Sequence, residues 1–246
     1  MKALPAEPQP EGAPGLAEAH IVLDGVEVVL DAAGALWLPR SRTLVVADLH
    51  LEKGSSLARR RVFLPPYDTG ATLAALALLI QRRDPAQVIC LGDSFHDNGG
   101  AARLGKVERN RIAALQRARA SYWIAGNNDG DLPSGPDGGI GGEIVAEMAL
   151  EGLLFRHEPA AGPQRGEVAG HLHPSAKVRG RGRSVRRRAF ATDGDRLVMP
   201  AFGVLAGGLN VLDRAFFSLF RPPRARAFML GDGRLFPVAF ASLSPD

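Results

Sequence analysis

The stretch Thr43-Leu44-Val45-Val46-Ala47-Asp48-Leu49-His50 joins a continuous apolar run to two polar side chains that are separated by one residue. A short apolar run without alternation is typical of a strand that is covered on both faces. Polar residues directly after such a strand lie at its carboxyl end, where open α/β sheets bind their ligands. The stretch therefore predicts a buried strand over residues 43–47 that presents Asp48 and His50 at the edge of a sheet.

The pattern around this stretch predicts the rest of the architecture. Predicted strands and helices alternate in the order strand 43–47, helix 69–83, strand 88–91, helix 107–118 and strand 122–125. Such alternation is typical of crossover units in an α/β sheet. On the N-terminal side Asp24-Gly25 predicts a hairpin. On the C-terminal side short strand-like runs follow one another, with one further helix predicted over residues 209–220. We therefore predict an α/β fold in which two β-sheets form a sandwich flanked by helices.

Length and composition limit the class of protein. The 246 residues, of which 46% are hydrophobic and 23% charged, are typical of a globular chain. Residues 1–19 contain four prolines and no basic segment followed by an apolar core. We expect this part to be a flexible leader rather than a signal peptide, followed by a single domain over residues 20–246. The apolar runs are too short to cross a bilayer, and the single Cys90 cannot form an internal disulfide. These features favour a cytoplasmic protein that has no membrane partner.

Metal-ligand residue types follow five of the apolar runs. Five of the six histidines lie in or near these clusters, and His20 lies apart. A single Asp-x-His pair is more often structural than functional, whereas this concentration at strand ends favours a metal site. Carboxylate, imidazole and amide ligands suit Mn²⁺, Fe or Zn²⁺ better than soft metals. We expect two divalent ions, Mn²⁺ before Fe or Zn²⁺, on Asp48, His50, Asp93, Asn127, His157, His171 and His173.

Local geometry is consistent with this prediction. On an extended segment two side chains one residue apart point the same way, so an Asp-x-His or His-x-His pair can reach one point. Glycines at the strand exits allow sharp turns of the backbone, and they stand at positions 92, 126 and 170. Two ions about 3.5–4 Å apart can clamp a phosphate and activate water for in-line attack. Phosphoester hydrolysis is therefore the predicted chemistry.

The order of these blocks resembles that of the calcineurin-like metallophosphoesterases, which is Asp-x-His, Gly-Asp, Gly-Asn-His-Asp/Glu, His and Gly-His-x-His. Longer stretches narrow the resemblance to the ligase-associated DNA damage response endonuclease branch, PdeM, namely residues 48–54, 91–97, 155–159, 170–174 and 200–203. The resemblance extends over nearly the whole chain beyond the leader. It implies a helix-flanked two-sheet sandwich, DNA as substrate, and a DNA ligase and a helicase-like repair protein as partners.

The resemblance also implies a role for each ligand and exposes one departure. One ion would be held by Asp48, His50 and His173, the other by Asn127, His157 and His171, with Asp93 bridging the two. The family usually has a histidine after the asparagine of the third block, where this chain has Asn128. An amide can donate a hydrogen bond to a phosphate oxygen, but it cannot act as a general acid near neutral pH. His96, three residues after Asp93, is a candidate replacement, and a purely supporting role is the alternative.

A basic segment over residues 177–188 begins four residues after His173. Seven of its twelve residues are basic and none is acidic, in a chain of net charge +4. A basic ribbon beside a phosphoesterase site suits the backbone of a polynucleotide, although a solvated loop is the plainer alternative. The nucleic-acid-binding candidates, which alternate and would share one face of an extended strand, are Lys177, Arg179, Arg181 and Arg183.

Three functions are consistent with these observations. The leading one is a metal-dependent phosphodiesterase or endonuclease that hydrolyses DNA by two-metal water activation in DNA repair. The second is a small-substrate phosphomonoesterase or cyclic-nucleotide phosphodiesterase, against which the basic segment argues. The third, motivated by Asn128, is a weakly active nucleic-acid-binding scaffold. The complete set of metal-ligand residue types argues against the third.

Overall fold

A computed structural model describes residues 15–63, 67–129, 140–180 and 182–246, and in these residues the chain forms two packed β-sheets with helices outside them. The first sheet runs in chain order, and its strands are β1 (Glu18–Leu23), β2 (Val26–Asp31), β3 (Ala35–Leu38), β4 (Thr43–Ala47), β5 (Gln87–Leu91), β6 (Ala120–Ile124) and β7 (Glu143–Val145). Strands β1 to β4 are antiparallel hairpins, whereas β4 to β7 are parallel. The helices are α1 (Lys53–Arg59), α2 (Asp68–Arg83), α3 (Gly100–Arg103) and α4 (Lys106–Leu115).

The second sheet is mixed. Its strands are β8 (Glu147–Leu150), β9 (Leu153–Arg156), β10 (Glu167–Ala169), β11 (Pro174–Gly180), β12 (Arg183–Thr192), β13 (Arg196–Val198), β14 (Leu209–Asn210), β15 (Arg226–Gly231) and β16 (Arg234–Ala239). Strand order is β14-β11-β12-β13-β10-β9-β8, and β15 pairs with β12 and β16. Short 3₁₀ helices cover Arg214–Phe216 and Phe240–Ser242. The predicted α/β two-sheet sandwich is thus confirmed.

Strand β4 shows why its apolar residues do not alternate with polar ones. All five of its residues are buried. Val45 and Ala47 pack into the core between the two sheets, whereas Leu44 and Val46 pack under α2 and α4 on the outer face. A third cluster covers the outer face of the second sheet. A strand between two cores is apolar on both faces, so the polar residues that follow it stand out as functional candidates.

The predicted helix over residues 209–220 is wrong. Residues 209–210 form β14, which pairs with β11, and only Arg214–Phe216 make a 3₁₀ turn. The Asn210 side chain accepts a hydrogen bond from the N–H of Leu212, and Asp213 accepts one from the N–H of Ala215. Asparagine and aspartate that bind backbone two residues ahead compete with helix formation, which explains the difference.

The N-terminal part of the described chain joins the fold earlier than the predicted boundary at residue 20. Leu16 exchanges two backbone hydrogen bonds with Leu235, and β1 begins at Glu18. Residues 1–14 of the predicted leader lie outside the described residues. None of the described helices is long and apolar enough to cross a membrane.

Candidate metal centre

The predicted ligands lie where parallel strands of both sheets end. Strands β4, β5 and β6 are parallel neighbours in the first sheet, and β9 and β10 are parallel neighbours in the second. Their carboxyl ends therefore meet along one edge of the sandwich. The residues that follow these ends are Asp48 and His50 after β4, Asp93 after β5, Asn127 after β6, His157 after β9, and His171 and His173 after β10.

The first ligand group is Asp48, His50 and His173, whose ligand atoms all lie within 4.8 Å of one another. The Nε2 atoms of His50 and His173 are 3.1 Å apart, and Nε2 of His173 is 3.4 Å from Oδ1 of Asp48. Asp48 and His50 are buried, and His173 is partly buried. One carboxylate and two imidazoles thus converge on one point.

The second ligand group is Asp93, His157 and His171, which converge in the same way. Nε2 of His157 lies 3.2 Å from Nδ1 of His171 and 3.4 Å from Oδ1 of Asp93. The other ring nitrogen of His157 lies 3.1 Å from the carbonyl oxygen of Leu91. A carbonyl can only accept, so Nδ1 of His157 carries the proton and Nε2 presents its lone pair to the group.

The backbone of these loops is left-handed at the ligands themselves. Positive φ angles of 43° to 67° occur at Asp48, His50, Asp93, His171 and His173. The expectation that the Asp-x-His and His-x-His pairs lie on extended segments is therefore wrong. Hydrogen bonds between the loops hold this conformation: the N–H of His50 donates to the Asp93 carbonyl, and the N–H of His171 donates to the Asp48 carboxylate. Such conformations are costly for residues other than glycine and cluster at functional sites.

The donor set fits divalent cations. Burial, with the neighbouring His173 adding to it, lowers the pKa of His50 to about 3, so this imidazole is neutral and has a lone pair for a metal. Burial raises the pKa of Asp48. Burial acts to lower the pKa of His173, but the hydrogen bond and charge of Asp48 and the charge of Asp93 outweigh it, and the pKa is raised. Bound cations would provide the positive charge that these buried carboxylates need. Nitrogen and oxygen ligands suit Mn²⁺, Fe or Zn²⁺.

The loop after β6 anchors Asp93. Asn128 donates from its backbone N–H to Oδ1 of Asp93 at 2.9 Å and from its side-chain amide to Oδ2 at 2.7 Å. Asn127 is exposed in the same loop, and its role as a ligand stays a prediction. Asp129, which we did not single out from the sequence, is buried and accepts hydrogen bonds from the N–H groups of Phe95 and Gly126. It ties the loop after β5 to the loop after β6.

His96 lies beside the first ligand group. The centroid of its ring is 5.6 Å from that of the His50 ring, in an edge-to-face arrangement. The backbone N–H of His96 donates to the carbonyl of Leu51. Its Nδ1 atom is buried without a hydrogen-bond partner among the described residues. Burial lowers the pKa of His96, and the charge of Lys53 adds to this effect. The hydrogen bond to Arg103 lowers the pKa of the adjacent Asp97 to about 2.

Two of the three glycines at the strand exits are required because a side chain would not fit there, and only one is required for its backbone conformation. Gly92 has a φ of +63° and so makes the sharp turn expected of it. Gly126 and Gly170 do not have positive φ. A Cβ on Gly170 would lie 2.6 Å from Oδ2 of Asp48, and one on Gly126 would lie 2.7 Å from Oδ1 of Asp93. These two glycines therefore leave room for the carboxylates of Asp48, across the two sheets, and of Asp93, on the adjacent strand end.

The basic segment forms a hairpin of β11 and β12 that starts directly after His173. Its register pairs Lys177 with Arg186 and Gly180 with Arg183. Directly paired residues of an antiparallel ladder share a face, and neighbours along a strand alternate. Lys177 and Arg179 therefore share a face with Arg186, whereas Arg183 lies on the opposite face. The expectation that Arg183 shares their face is wrong, because the turn reverses the chain. Arg181 lies outside the described residues.

Comparisons with known proteins also indicate a phosphoesterase. The family model for calcineurin-like phosphoesterases matches residues 41–197, which include all the predicted ligands. The chain is similar to the crystal structure of the Pseudomonas putida nuclease MPE, with a TM-score of 0.70 and 27% identity over 90% of this chain and 100% of that one. YfcE, a phosphoesterase from E. coli, matches with a TM-score of 0.37 and 16% identity over 80% of this chain and 98% of that one. No curated protein matches the chain in sequence.

Proposed function

The chain belongs to the calcineurin-like phosphoesterase family, and we propose that it is a metal-dependent phosphodiesterase that cleaves DNA internally. The observation that carries the proposal is the convergence of two carboxylate–imidazole groups at one sheet edge, from which the basic β11–β12 hairpin extends. The similarity to a nuclease of Pseudomonas putida supports DNA as the substrate. A small-substrate phosphatase would have no use for the basic hairpin.

The residues take separate parts in this proposal. Asp48, His50 and His173 would hold one divalent ion, His157, His171 and Asn127 would hold the other, and Asp93 would contribute to both. When bound, such ions would supply Lewis acidity to a phosphodiester and activate water for attack. Mn²⁺ is the ion we propose first, with Fe or Zn²⁺ as alternatives.

The remaining side chains position the substrate. Asn128 keeps Asp93 oriented and can donate to a phosphate oxygen. His96 approaches the leaving group beside His50, directly or through water. Lys177 and Arg179, which lie on the Arg186 face of the hairpin, contact backbone phosphates. Such contacts carry little sequence information, so cleavage has low sequence specificity.

The deciding experiment is a metal-dependence assay on plasmid and single-stranded DNA. We expect cleavage with Mn²⁺, no cleavage in EDTA, and loss of activity in Asp93→Ala to the level of the no-enzyme blank. Bis-p-nitrophenyl phosphate provides the matched small substrate. Absence of cleavage with every divalent ion, together with tight DNA binding, would identify the chain as a nucleic-acid-binding scaffold instead.

A role in DNA repair, together with a DNA ligase and a helicase-like protein, is part of the same proposal and rests on the sequence resemblance. Deletion of the gene should increase the sensitivity of the host to agents that damage DNA. Complementation with the wild-type chain but not with Asp93→Ala would tie that sensitivity to the metal centre. Equal complementation by both would argue against a nuclease role in repair.

A further inference from the structure

A groove of about 490 Å³ opens beside the metal centre and is not used by the chemistry proposed above. One wall is the arginine run 186–188 of β12, a second is the loop 206–208, and a third is the turn 231–233 between β15 and β16. These elements come from three separate parts of the chain. The groove is therefore a product of the fold and not a feature of one loop.

The groove starts next to the first ligand group. Gly208 lines it and also packs its backbone against the carbonyl of His173, which accepts a hydrogen bond from the N–H of Leu209 at 3.2 Å. Ser175, two residues after His173, also lines it. Nothing lies within 4 Å of the position that a Cβ of Gly207 would take. A polymeric substrate bound at the metal centre can therefore continue past His173 into the groove.

The three arginines divide into two that build the wall and one that faces solvent. Arg186 donates to the carbonyl of Gly208 at 2.6 Å and pairs with Asp246, and the partly buried Arg188 donates to the carbonyl of Ala201 at 2.6 Å. Arg187 is exposed, and its described hydrogen bond, from Nη1, goes to the carbonyl of its neighbour Arg186. Asp232 is the carboxylate that lines the groove. The wall is thus positive overall and suits a polyanion.

We propose that this groove binds the backbone phosphates of one nucleic-acid strand that leaves the metal centre past His173. The proposal rests on the proposed function and deepens it by assigning a strand path. Guanidinium groups bind phosphate, and glycines let a backbone approach closely. The volume lies within the range of about 300–1,000 Å³ typical of sites for small ligands. It is therefore large enough for a short stretch of one strand.

The test uses two charge changes of opposite sign in the full Mn²⁺-loaded protein. Arg187→Gln should lower kcat/KM on a single-stranded oligonucleotide by roughly fourfold to tenfold, and it should reduce the slope of log kcat/KM against log salt by about 0.7, as for one lost phosphate contact. Asp232→Asn removes the opposing charge and should raise kcat/KM on the same substrate. Asparagine tolerates the positive φ of 51° at this turn. A change that merely disturbs the fold cannot improve cleavage, so the opposite signs identify an electrostatic effect.

The matched control is Arg226→Gln, which removes the same charge from an exposed residue of the neighbouring strand β15 that does not line the groove. We expect it to leave the salt slope and the oligonucleotide kinetics near wild type. An equal loss in Arg226→Gln and Arg187→Gln, or no gain in Asp232→Asn, would contradict strand binding in the groove. If wild type cleaves DNA but the groove variants behave alike, the strand path fails and the proposed function stands.

If no DNA is cleaved with any metal, the proposed function fails, and the same three variants are compared by fluorescence anisotropy of a labelled oligonucleotide in the same Mn²⁺ buffer. Weaker binding by Arg187→Gln and tighter binding by Asp232→Asn would then support the groove on its own. Equal dissociation constants for all variants would rule out the groove as a binding site for the strand.

Discussion

Asn128 and His96 contact different ligand groups of the candidate metal centre. Asn128 bonds to both carboxylate oxygens of Asp93 in the second ligand group, whereas the His96 ring contacts His50 in the first. Asn128 therefore orients a ligand but cannot supply a proton to a leaving group. The Nδ1 atom of His96 is buried without a hydrogen-bond partner among the described residues, so a proton for the leaving group would have to come from the other ring nitrogen, Nε2.

The acid role of His96 can be tested with two leaving groups. If His96 protonates the departing oxygen, His96→Ala should lower kcat on DNA by about 10²-fold or more, as is typical for loss of a general acid. The loss on bis-p-nitrophenyl phosphate should be much smaller, because p-nitrophenolate leaves without protonation. His20→Ala, which changes a histidine outside the site, is the control. Equal losses on the two substrates would assign His96 to support of His50 alone.

At the scale of the elements, strand ends and loops position the carboxylates. Gly170 is the glycine that packs most closely against the carboxylate of Asp48. Its absent Cβ would lie 2.6 Å from Oδ2 of Asp48 and 3.1 Å from the carbonyl oxygen of Leu91, the last residue of the neighbouring strand. We expect Gly170→Ala to displace the Asp48 carboxylate and to weaken Mn²⁺ binding by about 10–100-fold, the usual effect of disturbing groups that orient ligands. Isothermal titration calorimetry measures this. Gly180→Ala, with nothing within 4 Å of its Cβ position, should bind Mn²⁺ as wild type does. Unchanged affinity in Gly170→Ala would contradict this account.

Strands β1 to β6 of the first sheet and the residues of both ligand groups could be predicted from the sequence, whereas the short strand β7 was not predicted. Strand β4 is apolar throughout because it lies between two cores, so Asp48 and His50 mark the point where the burial pattern breaks. Histidines are rare in this chain, and their concentration after apolar runs can be recognised without knowing the secondary structure. The convergence of the groups follows from the parallel strand order, which short apolar runs separated by helices predict.

The remaining features depend on contacts between distant segments, which local patterns do not contain. The left-handed backbone at His50 is held by the carbonyl of Asp93, and the fixing of the loops by Asp129 requires two strands to be neighbours. The predicted helix over residues 209–220 failed because β11 offers a strand partner to Leu209 and Asn210. The position of Arg183 depends on where the hairpin turns, and a shift of one residue moves a side chain to the other face.

At the scale of the whole molecule, the candidate metal centre combines residues of the two sheets. The first sheet contributes Asp48, His50 and Asp93 through the loops after β4 and β5, and the second contributes the remaining histidines through the loops after β9 and β10. Each ligand group contains residues from both sheets. Ions bound there would therefore connect the two layers of the sandwich, in addition to the apolar core between them.

This arrangement predicts that metal binding stabilises the fold as a unit. An ion that binds only the folded state stabilises it by about 2.7 kcal/mol at a hundred times its Kd, which corresponds to a rise in Tm of roughly 5–11 °C for a chain of this size. We expect one cooperative transition by calorimetry that moves up with Mn²⁺ and returns with EDTA. His173→Ala disrupts the first ligand group, so its Mn²⁺-induced shift should fall to about half, whereas His20→Ala should keep the full shift. Since both groups contain residues from the two sheets, loss of one ion should reduce the shift without splitting the transition. Two separate transitions, or a Tm that does not respond to Mn²⁺ at concentrations that support cleavage, would show that the ions do not connect the sheets.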